Sequence, residues 1–116
     1  MSTIQGIARF KIHLGKTEEF KRLSENCIRL SKEKDKGTLR YELFFNADET
    51  ECIVHEEYVD SNALMDHFQN MGENAAAIFA IVDSEGEIWG DPSSELRRNA
   101  EQYGLKIYSS FMSLTS

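Results

Sequence analysis

His67 is the side chain of this sequence whose position best suits acid–base chemistry. It lies between Leu64 and Met71, on or beside the apolar stripe of a predicted helix. Burial in such a stripe disfavours the charged imidazole, and a neutral imidazole accepts a proton from a bound hydroxyl group. We therefore predict His67 as a general base. A hydrogen-bonded structural histidine is the alternative interpretation.

Two more polar side chains, His55 and Arg9, are predicted to orient or polarise a substrate. His55 precedes Glu56 and Glu57, and Arg9 lies on the polar side of a predicted strand. An ion pair is the alternative for Arg9, because charges at interfaces are normally paired. Adjacent side chains of a strand point to opposite faces, so the run His55-Glu56-Glu57 cannot form a contiguous metal triad. The histidine spacing matches no metal motif, and no metal site is predicted.

Aromatic residues form a second group of candidates, because aromatic side chains enclose an electron-rich ring well. The predicted substrate-binding residues are Tyr41, Tyr58, Phe68, Phe79 and Trp89. Packing in the core or at a subunit contact is the alternative for most of them. The sequence contains no Ser-His-Asp order and no Gly-rich phosphate loop, which argues against nucleophilic and phosphoryl-transfer enzymes.

Length and composition indicate what must position these residues. The chain has 116 residues, 41% hydrophobic and 28% charged, which predicts a single folded domain over residues 1–116. Its formal charge of −7 argues against nucleic acid as a partner. No apolar stretch is long enough for a membrane span and no leader is evident, so we expect a cytoplasmic protein. The two cysteines, Cys27 and Cys52, lie in apolar patterns and are expected to be buried thiols.

Hydrophobic periodicity divides the first half of the chain into three strands and a helix. Alternation over residues 4–12 predicts a strand, and Thr17 is the expected cap of a helix that continues to about Lys34. Gly37 is the expected left-handed cap at its other end. A second strand over residues 39–45, a hairpin loop at 46–49 and a third strand over about 51–59 follow.

The second half predicts two more helices and two more strands. Asp60 or Ser61 caps a helix whose apolar stripe comprises Leu64, Phe68, Met71, Ala75, Ile78 and Val82. Gly72 is interpreted as a helix irregularity and Gly86 as a turn. A short strand at 87–90 precedes a helix that begins at Asp91-Pro92 and continues to about Tyr103. The last predicted strand covers residues 105–112.

This order predicts an α+β fold. Its first six elements, βαββαβ, match the ferredoxin-like antiparallel sheet with two helices on one face, followed by an extra C-terminal helix and strand. The opposite face of the sheet carries Ile7 and Phe44 among charges, a mixture too apolar for open solvent. A second copy of the chain is the simplest cover, and we predict a homodimer. A monomer with one partly apolar face is the alternative.

An ordered set of short segments resembles the antibiotic biosynthesis monooxygenase domain family. The resemblance covers roughly Thr3 to Met71, and residues 90–97 are similar to a tail found in some members. The segments that carry it are Ile7-Ala8-Arg9-Phe10-Lys11-Ile12, Gly15-Lys16, Glu19-Phe20, Gly37-Thr38-Leu39-Arg40-Tyr41-Glu42-Leu43, Glu56-Glu57-Tyr58, Ala63 and His67-Phe68.

The resemblance implies a dimeric αβ barrel with pockets between each sheet and its helices. It also implies oxidation of phenolic or quinol-type small molecules by molecular oxygen, without metal, flavin or haem. In such an enzyme, His67 would deprotonate the substrate and an apolar cage would hold its anion dry. Because one fold hosts many chemistries, two alternatives stay open. They are a non-catalytic dimeric small-ligand-binding or stress protein, and a cofactor-free isomerase of a small carbonyl compound.

Overall fold

The computed structural model describes residues 3–115 and shows the predicted α+β, ferredoxin-like architecture. In chain order its elements are β1 (Ile4–Ile12), α1 (Thr17–Lys34), β2 (Thr38–Phe45), β3 (Glu51–Tyr58), α2 (Ser61–Phe79), β4 (Val82–Trp89), α3 (Ser94–Gln102) and β5 (Lys106–Tyr108). The strands form one open sheet in the order β2-β3-β1-β4-β5. Strand β5 pairs with β4 in parallel, whereas the other neighbouring pairs are antiparallel.

Alternation along the strands gives the sheet two different faces. The inner face is the side packed against α1 and α2, where Phe10 lies opposite Cys52 in the register of β1 and β3. Phe20 of α1 is fully buried against this face, and both cysteines are buried free thiols, as predicted. A smaller apolar cluster of Ile4, Ile88, Leu96 and Ala100 lies where α3 packs on the sheet. The outer face, on the other side of the sheet, includes Arg9, His55 and Phe44.

The segment after α2 differs from the prediction. Helix α2 ends at Phe79, and Val82 is the first residue of β4 rather than part of the helical stripe. Ile78 and Val82 are both buried, so their four-residue spacing fits a helix as well as a tight helix-to-strand connection. Gly86 lies inside β4 and is not a turn; a Cβ atom there would approach Leu105 Cδ2 to 2.5 Å. The expected irregularity at Gly72 is confirmed, since its φ of 49° and ψ of −121° interrupt α2.

The ends of α1 also differ from the prediction. Thr17 is the first helical residue, and Lys16 occupies the cap position without a side-chain hydrogen bond. At the other end the cap is Asp35, in an extended conformation, and not Gly37. Gly37 serves close packing instead, because a Cβ atom at that position would lie 2.6 Å from the Cβ of Ala63. The chain after α1 can therefore pass directly over the start of α2.

The C-terminal elements are shorter than predicted. Ser93, and not Asp91-Pro92, caps α3 by accepting a hydrogen bond from the backbone N–H of Leu96. Strand β5 ends at Tyr108, so the expected strand to residue 112 was too long. Phe111 is 92% exposed, which shows that the aromatic character of this segment does not reflect core packing. No helix within residues 3–115 is both long and apolar enough to cross a membrane.

Candidate functional site

His67 projects from α2 into the protein interior, where it forms a close pair with Asp35. Its Nδ1 atom lies 2.6 Å from Asp35 Oδ2 and 3.1 Å from Ser31 Oγ, both at the end of α1. The His67 and Asp35 side chains are only 6% and 4% exposed. A carboxylate at Nδ1 favours the tautomer that carries its proton there, which leaves Nε2 as the acceptor.

Asp35 is held by three side-chain donors. Asn70 Nδ2 donates to Oδ1 at 2.8 Å, Thr38 Oγ1 donates to Oδ2 at 2.8 Å, and the third donor is His67. Burial alone would raise the pKa of this carboxyl group, but the hydrogen bonds from Asn70, His67 and Thr38 outweigh it and lower the pKa. Asp35 is therefore an ionised and well-oriented partner for His67.

Glu56 lies on the other side of the imidazole ring. Its Oε1 atom is 4.0 Å from His67 Nε2 and accepts a hydrogen bond from the Tyr58 hydroxyl. Within residues 3–115, Nε2 itself has no hydrogen-bond partner. Burial raises the pKa of Glu56, although His67 and Tyr58 oppose the shift. The ring thus lies between a carboxyl group whose pKa is lowered and one whose pKa is raised.

Two tyrosines complete the surroundings of the ring. The ring centroids of Tyr41 and Tyr58 lie 4.9 Å and 5.5 Å from that of His67. Burial raises the pKa of both phenols above their usual range, so both remain protonated. We call the set Asp35, His67, Glu56, Tyr41 and Tyr58 the buried polar network.

A cavity of about 700 Å³ lies between the sheet and the helices α2 and α3. Its wall is mainly apolar, and its polar side chains include Ser84 and Asn99. Phe79, Phe68 and Tyr103 form an aromatic row along it, with successive ring centroids 6.4 Å and 6.0 Å apart. These dimensions suit a small molecule of one to a few rings.

The cavity and the buried polar network adjoin the same helix without sharing residues. Leu64 and Phe68, which flank His67 on α2, both line the cavity, whereas His67 does not. On the sheet, Ala8 lines the cavity and Gly6, two residues earlier on the same face, lies opposite Glu56. Small residues therefore connect the two regions along β1.

The structure divides the predicted site residues into three places. His67, Tyr41 and Tyr58 belong to the buried polar network, and Phe68 and Phe79 line the cavity. His55, Arg9 and Trp89 lie on the outer face, across the sheet from His67. The structure thus brings the predicted base close to several of the predicted aromatic residues and separates it from the other two polar candidates.

The outer-face residues have partners of their own. His55 Nε2 lies 2.6 Å from Gln5 Oε1, and the His55 and Trp89 ring centroids are 6.4 Å apart. Arg9 forms an ion pair with Glu87 at 3.1 Å, which was the alternative interpretation of this arginine. Nothing in this geometry directs either side chain towards the cavity.

Asp35 and Glu56 were not recognised from the sequence as partners of His67. Asp35 is 32 positions away and follows a run of lysines, which resembles an ordinary helix end. For Glu56 an indication was present, because Cys52, Val54, Glu56 and Tyr58 alternate on one strand face. The described part of the chain contains no group of His, Cys, Asp and Glu suited to hold a metal ion.

Comparisons with known proteins identify relatives of this arrangement. A model of the antibiotic biosynthesis monooxygenase family matches residues 4–78. The crystal structure of MupZ from Pseudomonas fluorescens is similar with a TM-score of 0.84 and 21% identity, over 100% of this chain and 98% of that one. SnoaB from Streptomyces nogalater, a cofactor-independent oxygenase, is similar with a TM-score of 0.69 and 18% identity, over 81% and 97% of the two chains. No curated protein matches at a significant level.

Proposed function

Because this chain belongs to the antibiotic biosynthesis monooxygenase family, we propose that it oxidises an aromatic or quinol-type small molecule with molecular oxygen and without a cofactor. The family supports a monooxygenase-type role, and the choice of substrate is our own inference. The observation that carries it is the aromatic-lined cavity of about 700 Å³ beside the helical turn that bears His67. Such a cavity binds an aromatic ring by apolar contact, and the bound ring displaces water from the cavity wall.

We assign the role of general base to His67. Its Nε2 atom accepts the proton of a substrate hydroxyl group, and Asp35 stabilises the imidazolium that results. The electron-rich anion then reduces oxygen. At a ring CH2 position, one oxygen atom becomes the new carbonyl oxygen, and the other leaves as water with the two hydrogens of that carbon. The imidazolium returns its proton to the hydroxyl oxygen of the product.

The substrate hydroxyl group must reach Nε2 from the cavity, and we infer that it does so along the inner face of β1, past Ala8 and Gly6. The Glu56 and Tyr58 side chains fill the space beside Gly6, since a Cβ atom there would lie 3.6 Å from Glu56 Oε1, so these side chains must move when the substrate enters. A single oxygen atom at hydrogen-bond distance from both His67 Nε2 and Glu56 Oε1 fits their 4.0 Å separation. Burial raises the pKa of Glu56, and in its protonated form this carboxyl group would donate a hydrogen bond to the substrate anion.

We further propose that the enzyme is a homodimer formed through the outer face. The outer face exposes three large apolar side chains, Phe44, Ile53 and Trp89, which are 46%, 42% and 38% exposed. Clustered exposed apolar surface of this kind indicates an interaction surface. The Arg9–Glu87 pair lies on the same face. Light scattering tests this: the Phe44→Asp variant should be monomeric, and the control Leu14→Asp, altered in an exposed turn, should dimerise normally. A wild-type monomer at all concentrations contradicts it.

Oxygen uptake with a panel of quinols and anthrones tests the function. The wild-type protein should consume oxygen faster than the buffer alone. The rate of oxygen uptake by His67→Ala should be at least about 100-fold lower than that of the wild type. His13→Ala is the matched control, because His13 is a surface histidine paired with exposed Asp83. Binding without oxygen uptake would favour the non-catalytic alternative.

A further inference from the structure

One wall of the cavity comes from a part of the chain outside the family match. The family model ends at residue 78, whereas α3 begins at Ser94. Buried Leu96 and Ala100 anchor α3 to the sheet, and Asn99 and Tyr103, one helical turn apart, line the cavity. All four residues lie on one face of α3, and Leu96 and Ala100 also line the cavity. The face that packs on the sheet therefore also presents a polar and an aromatic group to the cavity.

The carboxamide of Asn99 has unused hydrogen-bonding capacity. Its Nδ2 atom donates to Met65 Sδ at 3.3 Å, a contact that spans the cavity wall from α3 to α2. A thioether sulfur is a weak acceptor, whereas a carboxamide offers two donor hydrogens and a carbonyl acceptor. The side chain of Asn99 has no other hydrogen bond with residues 3–115. A ligand oxygen is a better partner than the sulfur.

The aromatic row lies beside this amide. Tyr103 is 64% exposed and Phe68 is 46% exposed, although their ring centroids are only 6.0 Å apart. Large exposed aromatic side chains that line a cavity provide apolar area for a planar ring without large rearrangement. Asn99 and Tyr103 therefore offer a polar and an apolar contact to one substituted ring from a single turn of α3, and Phe68 of α2 adds a second apolar contact.

We propose that Asn99 is the specificity-determining residue of the cavity. It recognises an oxygen substituent on a planar aromatic ligand whose ring rests on Tyr103 and Phe68. The ligand oxygen replaces Met65 Sδ as the partner of the amide. This inference rests on the proposed function in one respect, namely that the cavity is the substrate site.

A matched pair of probes, 2-naphthol and 2-methylnaphthalene, tests the role of Asn99 by calorimetric titration under anaerobic conditions. We expect Asn99→Leu to weaken 2-naphthol binding about tenfold, the value of one good hydrogen bond, and to change 2-methylnaphthalene binding by less than about twofold. Gln102→Leu is the control on the same helix, because Gln102 is exposed and does not line the cavity. It should bind both probes as the wild type does.

Further variants separate recognition from folding. Asn99→Ala should likewise lose the preference for 2-naphthol over 2-methylnaphthalene. Thermal unfolding should show that each variant is folded. Tyr103→Ala should weaken the binding of both probes equally, because the substitution removes a contact with the ligand ring and leaves the Asn99 amide in place. Equal effects of Asn99→Leu on the two probes, or failure of the wild type to bind either, would overturn the inference. Selective binding without oxygen uptake in the separate quinol assay would overturn only the monooxygenase proposal.

Discussion

The buried polar network and the cavity are both next to α2, yet they are built in opposite ways. In the network, Asp35 has side-chain partners from β2 and α2, and its side chain is only 4% exposed. In the cavity, Phe68, Phe79 and Tyr103 are 46%, 45% and 64% exposed. The network thus fixes the orientation of His67, while the cavity leaves apolar surface available. In the proposed reaction, proton handling and ring binding would be separated along one helix.

The largest expected difference between the two regions is in stability. Asp35→Ala leaves His67 and Asn70 without their acceptor, so we expect the free energy of unfolding to fall by about 3 kcal/mol. Urea denaturation measures this change. Asp83→Ala, which removes the exposed partner of His13, is the control and should change it by less than about 0.5 kcal/mol. A small effect of Asp35→Ala would mean that the network is not a structural unit.

The cavity should show the reverse pattern. Phe68→Ala removes an aromatic ring that is about half exposed, so we expect a loss of only about 1 kcal/mol in stability. Binding of 2-methylnaphthalene should nevertheless weaken by about tenfold, because the middle ring of the aromatic row is lost. Calorimetric titration and urea denaturation of the same samples give both quantities. A stability loss as large as that of Asp35→Ala would contradict the distinction between the regions.

The same contrast explains how much the sequence could predict. Alternation and helical spacing identified the ferredoxin-like order and the burial of His67, because these patterns depend on one element at a time. The pairing of His67 with Asp35 depends on how α1 and α2 pack, and Gly37 permits that packing by lacking a side chain. The placement of His55 across the sheet from His67 follows from strand register, which the two-sided apolar pattern of the third strand did not specify, whereas alternation along the first strand already placed Arg9 on the polar side. The sequence could not predict that Asn99 lines the cavity, because this depends on where α3 packs.

The two carboxyl groups that flank His67 should respond to pH in opposite directions. The pKa of Asp35 is lowered, so its interactions stabilise the protein above the ordinary aspartate value of 3.8 and are lost as the pH falls through the lowered pKa. The pKa of Glu56 is raised, so its stability contribution is complete below the ordinary value of 4.5 and is lost as the pH rises through the raised pKa.

Two amide variants separate these contributions. Relative to wild type, Asp35→Asn should become progressively less stable as the pH rises from below the Asp35 pKa. Relative to wild type, Glu56→Gln should gain stability as the pH rises above 4.5, and the gain should level off beyond the raised pKa. Urea denaturation between acidic and neutral pH measures both differences. Parallel pH profiles for the two variants would show that the pKa values of the two carboxyl groups are not shifted in opposite directions.

The smallest effect is expected across the sheet, at His55. Its Nε2 atom pairs with Gln5 on the outer face, and β1 and β3 separate it from both the network and the cavity. Because a substrate in the cavity cannot contact this ring directly, His55→Gln should change the rate of oxygen uptake by less than about twofold at protein concentrations where the proposed dimer would be fully formed. The rate is therefore measured over a series of protein concentrations, beside His67→Ala. A loss approaching that of His67→Ala would mean that the outer face takes part in the reaction, and the assignment of chemistry to the helix-covered side of the sheet would fail.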